Sequence, residues 1–493
     1  MERIQVTHDR LVDAGGRHVL LNGINLVFKG EDTPDGRQYI GPWTERDFAD
    51  FAAWGFNVVR LGLIWDAAEP QPRRYDEAYF DWIGRMLDLC ERYGLYAFLD
   101  MHQDLYGASF SDGAPDWATL TDGLPHAPEA LWSDAYLSSA AVQRAFDHFW
   151  ANSPAPDGIG LQDHYAALWQ HISRRFASHP AILGYDVLNE PYPGSGGPQV
   201  FGALLGAFAQ EIRGRGGPDL TLDDMLAVFA DPAEKFKALA YLEDPSFYRR
   251  LAEAAEPLVA AFDRGDLDRF YNKMAAAIRA VDSQGILFRE NSYFSNMGVT
   301  CQAEPIRDAA GRYDPQQLYS PHGYDLVVDT EAIVMASDKR VDVIFGAHRR
   351  TQERLQVPVL VGEWGAHGMN AGGLEHIDHL LDLFEANLWG QTYWCYEKRL
   401  REAPVLERLR RPRAQAVCGQ LLRACFDRQA GTFEMDWDEA GGLAPTRVYL
   451  PGHAWTVTAD GPYQAESHGN WGFLHIPRQG GRRHVTVCWP GPS

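Results

Sequence analysis

No run in this 493-residue chain approaches the roughly 20 consecutive apolar residues that a bilayer-spanning helix needs. The first residues, MERIQVTHDRLVDAGGRHVLL, show no basic stretch leading into an apolar run. A secretory signal is therefore absent or has been trimmed. The expected compartment is cytoplasmic as the sequence is written, and extracellular if the N-terminus was trimmed. Cysteine is sparse: six residues (Cys90, Cys301, Cys395, Cys418, Cys425, Cys488), none in CxxC spacing. That pattern suggests neither a zinc site nor a dense disulfide framework. Cys418 and Cys425 are near enough in sequence to pair, but reduced, buried thiols are the expected state. Positive charge is short as well, 45 Lys and Arg against 67 Asp and Glu, a net charge of −22. Nucleic-acid binders usually carry the opposite sign, so no nucleic-acid partner is expected.

What is present is a large apolar fraction, 45%, in a chain long enough for one large domain and a small one. Short apolar runs recur: HVLLNGINLV (18–27), FNVVRLGLIW (56–65), LYAFLDMH (95–102), ILGYDVLNE (182–190), ILFRENSY (286–293), LYSPHGY (318–324), VPVLVGEWG (357–365) and QTYWCYE (391–397). Several are nearly continuous, as strands covered on both faces are. Between them, stretches such as 47–55 and 79–94 repeat apolar residues at three and four and end at Gly. Eight such strands alternating with helices predict an α/β fold, a (β/α)8 TIM barrel, over residues 1–410. From 411 to 493 the texture becomes short alternating runs split by Gly, Pro and Asp, which predicts a C-terminal antiparallel β-sandwich. The boundary is soft, because 412–427 also reads as a last barrel helix.

Polar residues collect at the C-terminal ends of these strands, where barrel enzymes carry their chemistry. They are Arg60, His102 and Asp104, Asn189 and Glu190, His322 and Tyr324, Glu363, and Trp394. Glu190 and Glu363 close two of the most apolar runs, on strands four and seven. Those strands lie on roughly opposite sides of the barrel, so their side chains can face across its axis. Two facing carboxylates are the equipment of glycoside hydrolysis: one stays protonated, the other ionised. An arginine beside the second favours its charged form, and Arg60 is the candidate. A structural Arg–Glu pair in the barrel interior is the competing reading.

YDVLNEP with VLVGEWG resembles glycoside hydrolase family 5, and Arg60 in VVRLGLIW, His102 in DMHQDLYG, His322 and Tyr324 in PHGY, and Trp394 in YWCYE extend the resemblance over the whole barrel. DMHQDLYG followed by GAPDWATLTDGLP, then FDHFWAN, YDVLNEPYPG and SPHGYD, are similar to the endoglycoceramidase and glycosphingolipid-hydrolase subgroup. The resemblance implies a retaining double displacement with Glu190 as acid/base and Glu363 as nucleophile, and no metal or organic cofactor. It implies that Asn189 holds the sugar 2-hydroxyl and that Tyr324 and Arg60 orient Glu363. His322 would sit beside the acid/base, His102 and Asp104 would grip the outer hydroxyls, and Trp394 would floor the sugar subsite. Lys29 is a further sugar contact, or an exposed loop lysine. Trp132 and Trp150 are stacking platforms, or core aromatics.

A helical insert at about 194–280 separates Glu190 from the next strand, far longer than one βα unit needs. Its helices pack on each other and on the barrel, and some of their apolar positions could wall a slot for a lipid chain. The expected substrate is a glycolipid cleaved between sugar and ceramide, with contact to a membrane surface and no obligate protein partner. A glucosylceramidase or steryl-β-glucosidase releasing one glucose is the alternative, and a β-glucanase with an open aromatic cleft the next.

Overall fold

A computed structural model describes residues 1–34, 36–440 and 444–489 of the chain. Among them, eight parallel strands form the barrel sheet: Asn22–Leu26, Val58–Ile64, Tyr96–His102, Ile182–Asp186, Ile286–Arg289, Gln317–Tyr319, Leu360–Val361 and Gly390–Tyr393. Counted in chain order, they neighbour one another as 6-5-4-3-2-1-8-7. Parallel bridges Tyr319–Val359 and His322–Glu363 close the sixth strand onto the seventh. The continuous apolar runs are explained by burial on both faces: all seven residues of Val58–Ile64 are buried.

The helices follow equally local rules. Asp76 accepts the backbone N–H groups of Ala78 and Tyr79 and so starts the helix Glu77–Arg92. That helix buries Phe80, Ile83, Leu87 and Cys90, one stripe at helical spacing, and the chain turns away at Gly94 with φ +69°.

The insert forms the helices Gly197–Gly214, Leu222–Ala230, Pro232–Leu239, Pro245–Phe262 and Asp268–Arg279. Asp231 and Asp244 each cap a helix whose first residue is proline, a pairing that fixes where the chain turns. Leu205, Phe208, Ile212, Met225, Phe247 and Leu251 build a separate small core, which Val343 and Ile344 of the helix Asp338–Leu355 anchor to the barrel.

The region after 410 is two antiparallel sheets, with Phe433, Met435, Trp437, Val448, Leu474 and Val485 in the core between them. Residues 412–427 are strands, Arg413–Cys418 and Gln420–Asp427, and not a last barrel helix. The second strand pairs antiparallel with Thr432–Glu439, with a bulge between Leu421 and Arg423. Residues 441–443 and 490–493 of the expected sandwich lie outside the described residues.

Two expectations are corrected. The run 18–27 is not one strand: Arg17–Val19 pairs with Arg413–Cys418, and only Asn22–Leu26 enters the barrel. The first strands, Ile4–Thr7 and Arg10–Asp13, extend that same sandwich sheet. Their alternation, Ile4 and Val6 inward with Gln5 and Thr7 outward, belongs to a half-buried antiparallel sheet. Cys425 is exposed, not buried, on an edge strand.

Candidate active site

Arg60 and His102 lie within strands two and three, while the other polar side chains follow the strand ends. Strand four stops at Asp186, and the chain continues through buried Val187 and Leu188 to Asn189 and Glu190. Glu190 takes φ +44°, a left-handed conformation costing a non-glycine residue about 1–3 kcal/mol. Three hydrogen bonds hold that turn. The Glu190 N–H donates to Glu290 Oε2 at 2.7 Å, and Gln103 Nε2 donates to the carbonyl oxygens of Asn189 and Glu190 at 2.8 and 3.3 Å.

Arg60, on strand two, is wholly buried and forms the floor. Its Nη1 donates to Glu363 Oε1 at 2.6 Å and to Asn25 Oδ1 at 3.1 Å. Its Nη2 donates to Asn189 Oδ1 at 2.9 Å and Glu290 Oε1 at 2.8 Å, and its Nε to Asp186 Oδ2 at 2.9 Å. Asp100 Oδ1 lies 2.9 Å from Nη2. Burial alone would weaken the guanidinium's hold on its proton; Asp100, Asp186, Glu363 and Glu290 together raise it well above the ordinary arginine value.

Glu190 and Glu363 converge above this floor. With His322 they form a group whose nearest nitrogen and oxygen atoms all lie within 4.8 Å of one another. His322 Nδ1 stands 3.1 Å from Glu190 Oε1 and 3.6 Å from Glu363 Oε2, and its Nε2 stands 3.2 Å from Glu290 Oε1. Burial opposes its protonation, yet Glu290 and Glu363 raise it well above the ordinary histidine value, which favours the imidazolium form. Asn296 Nδ2 also donates to Glu190 Oε1, at 2.8 Å. Burial raises the Glu190 carboxyl from 4.5 to about 7; His322 opposes the shift and Glu363 adds to it. Tyr324 donates its hydroxyl to Glu363 Oε2 at 2.9 Å.

The sugar-contact candidates lie around the same opening. His102 stacks on Trp394 with ring centroids 5.2 Å apart, and its Nδ1 bonds Asp100 Oδ2 at 2.9 Å. Burial pushes the His102 imidazole down to about 3, with Lys29 acting in the same sense. A neutral ring that donates through Nδ1 leaves Nε2 as an acceptor, and that atom has no partner among the described residues. Lys29 pairs with Asp104 and lies 5.1 Å from the centre of the Trp394 ring. Trp132 lines the cavity and donates to Asp329 Oδ2 at 3.1 Å. Trp150 does not reach it. Its N–H bonds the Tyr192 carbonyl at 2.8 Å and its ring packs on Phe262 and Phe270, which makes it a core aromatic.

Asp100, Asp186 and Glu290 went unread in the sequence although each sits inside an apolar run, the same signature that flagged Glu190. Asn296 lies in a loop, SYFSNMG, that carries no such signal. Each cluster of potential metal ligands already holds a cation: Lys29 against Asp104 and Asp112, His322 between Glu190 and Glu363, Arg60 against Asp100, Asp186 and Glu290. A metal ion in any of them would have to displace that side chain.

Above the carboxylates opens a cavity of about 460 Å³. Lys29, His102, Asp104, Glu190, Glu363 and Trp394 line its polar end. Phe201, Leu204, Phe208, Val228, Phe229 and Leu239 of the insert line its apolar arm.

Two carboxyl groups this close leave no room for a water between them; inverting enzymes need about 6.5–9.5 Å and retaining ones about 5–5.5 Å. The class that barrel and dyad define is the retaining glycoside hydrolases. More narrowly, the chain belongs to glycoside hydrolase family 5: the family's cellulase model matches residues 12–228 and 250–399, and its C-terminal domain model matches 411–487. The chain is 33% identical over 462 residues to endoglycoceramidase I of Rhodococcus hoagii, covering 91% of this chain and 79% of that one. It is 29% identical over 480 residues to an endoglycoceramidase of Hydra vulgaris, covering 89% and 78%. Among solved structures, endo-glycoceramidase II from Rhodococcus sp. in complex with a five-membered iminocyclitol superposes with a TM-score of 0.73 at 26% identity, covering 97% of this chain and 99% of that one.

Proposed function

We propose that this hydrolase cleaves the bond between the glycan and ceramide of glycosphingolipids, releasing the intact glycan. The observation that carries the reading is one cavity whose lining is polar around Glu190 and Glu363 and apolar between the insert helices. A β-glucanase, which binds polar chain on both sides of the scissile bond, has no use for that arm.

In this mechanism Glu363 attacks the anomeric carbon while the protonated Glu190 donates to the departing ceramide oxygen. A covalent glycosyl–Glu363 ester results. Glu190, now a carboxylate, takes a proton from a water whose oxygen attacks the anomeric carbon as its bond to Glu363 breaks, and the sugar leaves with retained configuration. Arg60 and Tyr324 aim the Glu363 oxygens. Asn189 Oδ1 is occupied by Arg60 and one Nδ2 hydrogen by the Gln103 carbonyl at 3.0 Å, which leaves the second Nδ2 hydrogen for the sugar 2-hydroxyl. His102 Nε2 accepts from one outer hydroxyl, Asp104 and Lys29 bind another, and Trp394 underlies the ring. Ceramide chains fill the arm between the insert helices. Leu222, Leu226 and Phe236 of the same helices, 42–48% exposed, would touch the lipid surface from which substrate is drawn.

The test is incubation with glucosylceramide, lactosylceramide and a steryl glucoside in parallel, with the glycans identified. Lactose released intact from lactosylceramide is the expected product. Cleavage of glucosylceramide and the steryl glucoside with lactosylceramide untouched would replace the reading with the single-glucose alternative.

A further inference from the structure

We propose that Asn296 is a positioning residue for the acid, fixing which oxygen of Glu190 carries the transferable proton. The inference rests on Glu190 being the acid/base.

Asn296 and, as an imidazolium, His322 both donate to Glu190 Oε1. Asn296 Nδ2 reaches it at 2.8 Å and His322 Nδ1 at 3.1 Å. The imidazolium has no acceptor nitrogen, and an amide NH2 has none either. A proton placed on Oε1 would face two N–H groups, so it resides on Oε2, which accepts no hydrogen bond among the described residues.

The direction of the Asn296 amide is set from behind. Asn291 Nδ2 donates to Asn296 Oδ1 at 2.6 Å, and the other Asn291 hydrogen goes to the Ser292 carbonyl at 2.8 Å. Both Asn291 donors are thereby spoken for, and Asn296 must present its oxygen to Asn291 and its NH2 to Glu190. The segment Tyr293–Met297 is a short helical turn that ends at Gly298 with φ +89°, a value that suits glycine. Asn296 also lines the cavity, beside Met297 and Phe294 at the foot of the apolar arm. A loop that borders the lipid arm thus also aims the acid.

The proton balance follows. As the bond from Glu363 to the anomeric carbon forms, the electron pair of the breaking bond moves to the leaving oxygen, which takes the Oε2 proton. Glu190 becomes a carboxylate, and the Asn296 N–H bond to Oε1 strengthens because its acceptor is now charged. An N–H donor favours the charged form, so removing it raises the acid's pKa further.

The measurement is kcat/KM for 2,4-dinitrophenyl and unsubstituted phenyl β-glycosides of one sugar, glucose or lactose, whichever wild type turns over. Dinitrophenolate leaves without protonation; phenolate, whose acid has a pKa of about 10, needs the acid. Asn296→Ala and Asn296→Asp are expected to lose at least about tenfold more on the phenyl glycoside than on the dinitrophenyl one, within the range of a general acid's contribution. The alkaline limb of the phenyl profile is expected to move to higher pH. Asn296→Asp keeps the acceptor that Asn291 uses, so it guards against a mere folding defect in the alanine variant. Equal losses on the two leaving groups, or an unmoved limb, would overturn the proposal. Glu190→Gln is run alongside: equal losses for that variant would instead remove Glu190 as the acid, a distinguishable failure.

Discussion

Arg60 Nη1 lies 2.6 Å from Glu363 Oε1 at the floor of the barrel mouth, with the guanidinium wholly out of solvent. Asp100, Asp186 and Glu290 meet the same guanidinium at 2.8–2.9 Å. One cation therefore serves the carboxylate proposed as nucleophile and three carboxylates behind it. His322 is the second cation of the network. This arrangement fixes Glu363 in place because its partner cannot move without breaking its contacts to three other buried acidic side chains.

Removing that cation leaves buried carboxylates uncompensated. Arg60→Met is expected to destabilise the fold by about 3–5 kcal/mol, the usual result of breaking a buried ion network from one side. Arg60→Lys keeps the charge but not the planar fork that reaches several acceptors, so it should recover only part of the loss. Urea denaturation of the variants measures this. An Arg60→Met protein within about 1 kcal/mol of wild type, inside ordinary surface-mutation scatter, would refute the account of the floor.

The titration of Glu190, the proposed acid, is expected to set the alkaline side of the rate profile. Glu190 must be protonated to donate, and burial holds its carboxyl near 7. The protonated fraction is therefore high below that value and falls as pH rises through it. For a glycoside with a poor leaving group, kcat/KM should decline above about pH 7, with the acid-side limb completing a bell. Dinitrophenyl glycosides should lack the alkaline limb. A limb of equal size with both leaving groups would assign the titration to another group.

The sequence reader sees barrel strands because burial on both faces writes a continuous apolar run, and sees the dyad because a carboxylate at the end of such a run has no packing reason to be there. That logic found Glu190 and Glu363 and would have found Asp100, Asp186 and Glu290. It could not find Asn296, since a loop amide interrupts no pattern. It also overran the strand ends. ILGYDVLNE looks like one strand, yet pairing stops at Asp186, and Glu190 sits in a left-handed turn held by Gln103 and Glu290. Long-range pairing was equally hidden: nothing local in RHVLLNGINL tells Arg17–Val19 to join strands almost 400 residues away.

That pairing makes the sandwich part of the barrel's base. Tyr449 donates its hydroxyl to the Ala53 carbonyl at 2.8 Å, and its ring lies so close to Gly55 that a Cβ there would stand 2.3 Å from it. Gln415 Nε2 bonds the Gly55 carbonyl at 3.1 Å. Deleting residues 411–493 would strip three strands at the N-terminus of their partner and expose the lower barrel face. The truncated chain is expected to be insoluble or to unfold well below the full chain. A soluble, active barrel of residues 1–410 would show that the sheet is dispensable. Gly55→Ala offers a milder probe, combining the ring contact with φ +86°, and should lower the melting temperature measurably.

In the proposed function the apolar arm separates lipid recognition from sugar chemistry, because its walls come from the insert and the two carboxylates from the barrel. Val228 and Phe229 face the arm, and Phe229 packs edge-on against Phe201 with centroids 4.6 Å apart. Burying one large apolar side chain against a ligand contributes about 1.5–3 kcal/mol, so Phe229→Ala should raise KM for a glycosphingolipid about tenfold or more. Val228→Asp should do at least as much, since a carboxylate would enter an apolar slot. Aryl glycosides, which reach only the polar end, should lose far less. Leu226, on the same helix and 44% exposed but not among the cavity-lining residues, provides the contrast. Leu226→Asp should leave the hydrolysis of detergent-dispersed substrate near wild type and slow hydrolysis of substrate presented in vesicles. Equal losses on lipid and aryl substrates for Phe229→Ala would place the lipid elsewhere, because a wall that touches only a long aglycone cannot change the binding of a glycoside whose small aryl aglycone does not reach it.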